Sequence, residues 1–217
     1  MGLIGENFMA DLFTLSAADL AALLCSRLCH DIISPVGAIS NGLELLDEGG
    51  ADEDAMRLIR ASAKNASARL QFARIAFGAA GSAGMQIDTG AAEQVATALL
   101  QNEKPELEWN GRRALLPKNK VKLLLNLILI ANAAIPRGGK ITVNLENPET
   151  EPKFVLTAAG PMVRVPPKFL ELHSGHKPEE PIDAHSVQPY YTLLLAREAG
   201  MTISIRASAE EIGLTAA

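Results

Sequence analysis

The sequence has little of several things, and each shortage closes a class of function. Its 217 residues include two cysteines, Cys25 and Cys29. Four apart on one expected helix, they build no disulfide framework, and a reducing cytoplasm is the expected compartment. No Lys/Arg-rich run occurs and the net charge is −5. The clustered cations that grip a phosphate backbone are missing, so nucleic acid is not expected as a partner. The longest apolar run, near Val121 to Ile135, is interrupted by Lys122, Asn126 and Asn132, which argues against a membrane span. Met1 to Ala10 lacks the basic-then-apolar pattern of a secretory leader, so neither secretion nor membrane insertion is expected. What remains, with 48% hydrophobic residues, is enough for a stable core without staples: one medium domain or two small ones.

What is present divides into two halves. Ser16 to Glu48 carries apolar residues at helical spacing, with Ser16 as N-cap and Gly49-Gly50 as a stop. Asp52 to Phe77 repeats Met56, Ile59, Ala63, Ala66, Leu70, Ala73 and Phe77 in steps of three and four, the pattern of a seam between packed helices. A short connection makes the pair a hairpin, which cannot bury such a seam alone. Either a second copy closes a four-helix core or the chain's own second half covers the seam; a homodimer is the expectation. "GAAGSAG", residues 78–84, reads as a linker. Beyond it, strand patterns at 85–88, 107–109, 140–145, 154–157, 202–206 and 213–215 alternate with helical ones at 90–102, 118–135 and 187–199. This predicts an α/β sandwich, a mixed and largely antiparallel sheet with helices on one face.

"SRLCHDIISPVGAIS", residues 26–40, is the stretch that points to chemistry. Leu28, Ile32, Pro35, Ile39, Leu43 and Leu46 define an inward stripe, and at about 100° per residue His30 lies roughly 160° to 200° away from its start. Leu23, Ser26, Arg27, Ile33, Ser34 and Gly37 fall within about 60° of His30, on the outer face. An outward His is not a core residue; it is either a solvated surface group or a reactive one. Pro35, in mid-helix, costs about 3 kcal/mol and leaves the Asp31 carbonyl unpaired, and a cost of that size one turn after an outward His favours the reactive reading. A neutral imidazole can accept a phosphoryl group, with Asp31 to take or orient the ring proton. Arg27 can neutralise phosphoryl oxygens or pair with an acidic partner; a solvated Arg is the equal alternative. Ser34 and Gly37 leave room for a partner's active site, and Leu23 and Ile33 offer apolar docking contact. Cys25, Cys29 and His30 do not converge into a metal site, because His30 is turned about 100° from Cys29. His173 and His176, in "LHSGHKP", lack a third ligand, and His185 is read as having no partner. Trp109 is read as an anchor of the second core, and Lys118, Lys120 and Lys122 as a solvated face.

"HDIISPVGAI", residues 30–39, resembles the H-box of sensor histidine kinases, with His30, Asp31, Ser34 and Pro35 at the motif positions. "LLLNLILIANAAIPRGGKITV", residues 123–143, resembles the N-box of the kinase ATP-binding domain, from Asn126 through Gly138 and Gly139. The departures carry the functional expectation. Ile130 stands where the Mg²⁺-binding Asn would be and Ala133 at the following Lys position. In "FVLTAAGPMVRVP" Ala158 replaces the adenine-reading Asp and Met162 a Gly. Before the last helix Ser186 and Gln188 occupy the places of the phosphate-cradling glycines, and Pro189 follows. A triphosphate there would lose its hydration without compensation, so no ATP binding is expected.

An intact H-box joined to a dead nucleotide domain is similar to the dimeric histidine phosphotransferases of alphaproteobacteria, the ChpT type, over essentially the whole chain. That resemblance implies an α+β protein: residues 1–77 a hairpin forming a dimeric four-helix bundle, DHp-like, for dimerisation and phosphotransfer; 78–84 a linker; 85–217 a degenerate kinase ATPase-like α/β sandwich. It implies a cytoplasmic phosphotransferase in a multistep relay. His30 would be the phosphoacceptor and Asp31 its proton acceptor, with Leu23, Arg27, Ile33, Ser34 and Gly37 docking the partner. Phosphate would come from the receiver domain of a hybrid kinase and pass to the Asp of a response regulator such as a CtrA-like cell-cycle regulator. Mg²⁺ would come with the receiver domains, the chain itself binding neither metal nor ATP. The alternatives are a silent dimeric scaffold for receiver domains, a residual ATP-dependent kinase, and a phosphatase acting through Ser34.

Overall fold

The computed structural model describes residues 13–49, 52–78, 86–175 and 180–217. Helix α1 spans Ala17–Asp47 and passes through Pro35. Ser16 caps its start, the hydroxyl accepting from the Asp19 backbone N–H at 3.1 Å, which satisfies one of the orphan donors of the first turn. Helix α2 spans Asp52–Ala76 and turns back along α1. Gly42 sets how close the two helices come: a Cβ there would lie 2.6 Å from Ile59 Cγ1 and 3.3 Å from the Ala55 carbonyl. By length and apolar composition alone α1 could cross a bilayer; here its Leu20 and Leu24 pack against the core of the second half.

The seam drawn from the sequence on α2 proves to be two lines. Ala55, Ser62, Ala66 and Ala73 are buried, with Ile59 half-buried beside them, so the line facing α1 runs at the spacing 55, 59, 62, 66 and 73. Met56, Ala63 and Leu70 form the adjacent line and are exposed. On α1, Leu28, Ile32, Pro35, Ile39 and Leu46 are at least half covered as expected, whereas Leu43 is exposed next to Val36. Among the described residues the hairpin therefore presents an exposed apolar strip.

Of the segment 78–84 only Gly78 lies within the described residues. Beyond it come β1 (Gln86–Asp88), α3 (Thr89–Leu100), β2 (Pro105–Asn110), β3 (Leu115–Pro117), α4 (Lys118–Ala134), β4 (Gly139–Glu146), β5 (Lys153–Ala159), α5 (Pro167–His173), α6 (Val187–Glu198), β6 (Ile203–Ala207) and β7 (Glu211–Ala216). The main sheet has the order β2-β4-β5-β7-β6. Only β2 and β4 run parallel; the other neighbours are antiparallel. Alternate residues face inward and meet across the register: Ile141 opposite Ala158, Val143 opposite Leu156, Leu156 opposite Leu214. All of these are buried, so one face is a core face and the other is wet. Gly139 enters β4 at φ 136°, where a Cβ would sit 2.1 Å from the Ala159 carbonyl, a position closed to other residues.

The core joins the two halves. Phe72, Ile75 and Ala76 at the end of α2 belong to the same buried cluster as α4 and the sheet. Phe13 and Leu15, ahead of α1, also reach across, Phe13 packing edge-on to Tyr190 of α6 at 5.3 Å and Leu15 donating its N–H to the Tyr190 hydroxyl at 3.2 Å. The α1 helix is thus seated on the α/β half at its base, which sets where His30 stands. Trp109 is half-buried on the edge strand β2 rather than central to the core. The deepest part is α4, buried almost all round.

Candidate functional site

His30 lies on the outer face of α1, its side chain 71% exposed. Its Nδ1 stands 3.7 Å from Asp31 Oδ1, too far for a hydrogen bond but close enough for an ionic pairing once the ring is charged. The Asp31 carboxylate is itself fixed: Arg27 Nε, one turn earlier, donates to both of its oxygens at 3.0 and 3.2 Å. The two side chains are about a third exposed, so the pair is ordered yet reachable. With Nδ1 turned to the carboxylate, Nε2 is the nitrogen left for chemistry. Of the neighbours expected from the sequence, Ile33 is 70% exposed, Ser34 is exposed and Leu23 half-buried. Gly37 is exposed, and nothing lies within 4 Å of where its Cβ would be.

His185, expected from the sequence to stand alone, has a partner. The ring of His185, from the segment before α6, meets the His30 ring edge-on, with centroids 5.7 Å apart and planes at 76°. A sequence signal existed, since Asp183 and Ser186 stand ready to close a turn just ahead of a helix. The distance to position 30, however, is a tertiary fact. Between the hairpin and the second half lies a cleft of about 380 Å³, lined among others by Arg27, Asp31, Arg69, Ile130, His185 and Pro189. Arg69 of α2 and Glu103, both in its lining, form an ion pair at 2.6 Å. The cleft thus runs from the H-box carboxylate to the residues at the degenerate nucleotide-box positions.

The residues at those positions make internal contacts. Asn126 is fully buried; its amide donates to the carbonyls of Lys122 at 2.9 Å and Ala76 at 3.2 Å. Gln188 donates to the Asn126 backbone carbonyl at 3.0 Å and to Thr192 Oγ1 at 3.0 Å. Together they pin α2, α4 and α6 to one another. Ile130 is buried in the core, and an alkyl group supplies no metal ligand. Lys122 departs from the expected solvated face: it is buried, donating to the Tyr191 hydroxyl at 3.4 Å. Burial, and then the nearby Lys118 charge, push its pKa down. Burial and then Glu198 push the Tyr191 hydroxyl up to about 12.

His173 is bound structurally, Nε2 donating to the Ile203 carbonyl at 2.8 Å, while His176 lies outside the described residues. Cys25 and Cys29 are both exposed free thiols. Among the described residues no three His, Cys, Asp or Glu side chains gather as a metal-binding group.

A model of the histidine phosphotransferase C-terminal domain matches residues 89–211. The chain is 75% identical, over 94% of its own length and 97% of the relative's, to the protein phosphotransferase ChpT of Brucella abortus (strain 2308). A solved bacterial phosphotransferase structure is 72% identical to it, with a TM-score of 0.90 over 95% of this chain and 99% of that one.

Proposed function

The chain belongs to the histidine phosphotransferase family, and we propose that it is the phosphohistidine stage of a bacterial multistep phosphorelay. The observation that carries this reading is the outward His30, with Nδ1 set 3.7 Å from a carboxylate that Arg27 holds in place. A receiver domain of a hybrid kinase brings its aspartyl phosphate, with the Mg²⁺ bound to that domain, to the exposed imidazole. The Nε2 lone pair forms the N–P bond, the P–O bond to the partner's Asp breaks, and its carboxylate leaves with the electron pair. The ring becomes cationic, and Asp31 stabilises the proton held on Nδ1. Reversal of the same step delivers phosphate to the Asp of a response regulator, a CtrA-like one on the family resemblance. Little beyond positioning and charge neutralisation is asked of the chain.

Two further parts of the reading follow. The uncovered strip of Val36, Leu43, Met56 and Leu70 supports a homodimer in which a second hairpin completes a four-helix bundle, exposing one His30 per protomer. The chemistry at the former nucleotide boxes supports a chain that does not bind ATP: Ile130, Ala158 and Met162 offer no ligand for Mg²⁺ or adenine, and Gln188 is spent inside on Asn126. We place its work in a reducing cytoplasm, the compartment that suits the exposed free thiols of Cys25 and Cys29. The test is a reconstituted relay. A receiver domain loaded with labelled phosphate should label this chain, and adding a regulator's receiver domain should move the label onward, while calorimetry with Mg-ATP gives no heat of binding. Label that bypasses the chain, or a millimolar-or-tighter Mg-ATP signal, would overturn the reading.

A further inference from the structure

His185 and His30 are 155 positions apart, and their rings nevertheless form an edge-to-face pair at 5.7 Å, inside the range in which aromatic rings attract. Both rings are exposed, so core packing does not account for the meeting. The segment that carries His185 is firmly built. Asp183 Oδ1 accepts the backbone N–H of His185 at 3.0 Å and that of Ser186 at 2.8 Å, and the Ser186 hydroxyl at 2.7 Å. The Asp183 N–H donates to Ser186 Oγ at 2.9 Å, and the Val187 N–H to the Asp183 carbonyl at 2.9 Å. The Ser186 hydroxyl, then its backbone N–H, hold the Asp183 carboxyl below its ordinary range, so it remains an acceptor. Ser186 is buried, and Gln188, two residues on, is locked to Asn126. His185 is therefore the tip of a rigid turn aimed at the H-box.

An exposed imidazole on a helix has two side-chain torsions to settle, and an in-line attack on phosphorus tolerates little misplacement, about 1 Å costing on the order of 10²-fold. We infer that His185 is a positioning residue for His30: its ring holds the His30 imidazole in the orientation that presents Nε2, so the degenerate nucleotide half contributes directly to the transfer step. His30 stays 71% exposed beside it, so His185 steadies the ring without covering it. The inference rests on the relay reading above. It assigns His185 the contact made by its ring rather than a proton it carries, which is what a phenyl group can imitate.

The test is single-turnover transfer of label from a phosphorylated receiver domain at a series of receiver concentrations, for the full chain as wild type, His185→Ala and His185→Phe. For His185→Ala the expected result is a limiting rate constant about tenfold lower, in keeping with the loss of one aromatic contact. The half-saturating receiver concentration and the thermal melt should be unchanged, and His185→Phe should recover to within about twofold of wild type. An unchanged rate in His185→Ala, a loss confined to half-saturation, or a His185→Phe as slow as the alanine variant would each overturn the inference. No label on wild-type protein would instead overturn the relay reading.

Discussion

At the scale of single residues, the site is a short chain of charge along α1: Arg27 fixes Asp31, and Asp31 faces Nδ1 of His30. Asp31→Asn keeps the shape and removes the charge that favours a protonated ring after transfer. We expect its single-turnover rate to fall about 100-fold, with receiver binding by calorimetry little changed; a rate within a factor of two of wild type would remove Asp31 from the mechanism. The buried Lys122–Tyr191 pair yields a second expectation at this scale. Burial pushes the Tyr191 hydroxyl above the ordinary tyrosine range, up to about 12, so its contribution to stability is complete below about pH 10 and is lost as pH rises toward 12. Chemical denaturation at pH 9 and pH 11.5 should show wild type losing about 2 kcal/mol more than Tyr191→Phe; equal losses would contradict it. The burial of Lys122 was legible in principle, because "VKLLLNLILIA" is apolar all round and a helix apolar all round is a buried one.

At the scale of elements, long periodic segments were legible and short ones were not. The bounds of α1, α2, α3, α4 and α6 fall within two residues of the expected ones, since each buries a full stripe or more. The missed elements among the described residues are β3, three residues ending in Pro117, and α5, seven residues opening at Pro167 behind Pro166, too short to show a period. The α2 seam splits into two lines for a related reason. A heptad pattern marks which residues are apolar but not which of two adjacent neighbours covers each line. Separating the lines yields two expectations. Leu43→Lys with Leu70→Lys, placed on the uncovered strip, should convert a dimer to a monomer in sedimentation while the near-ultraviolet signal of Trp109 is kept; a dimer that survives would refute the proposed bundle. Gly42→Leu, at the crowded crossing with Ile59 and Ala55, should lower unfolding free energy by about 1 to 3 kcal/mol in denaturant titration; no loss would mean the helices are not held at that spacing.

At the scale of the molecule, the hairpin and the α/β half are one body with a shared core, joined by Phe72, Ile75 and Ala76 below and by the Arg69–Glu103 pair at the cleft. The two-part organisation could be read from the change of period after residue 77, and His30 from its angle to the α1 stripe. The joining could not, because His185 comes to His30 through the packing of α6 on α4 by way of Gln188 and Asn126, which no local pattern encodes. The burial of Ile130 in the core and the clasp of Gln188 on Asn126 suit a second half that braces the hairpin. All of this turns on His30 being the phosphoacceptor. The most direct measurement is transfer of labelled phosphate from a phosphorylated receiver domain to the wild-type chain and to His30→Ala side by side, with the product tested for lability in acid. Acid-labile label on wild type and none on His30→Ala is the expected result; equal labelling of the two, or no label on either, would contradict it.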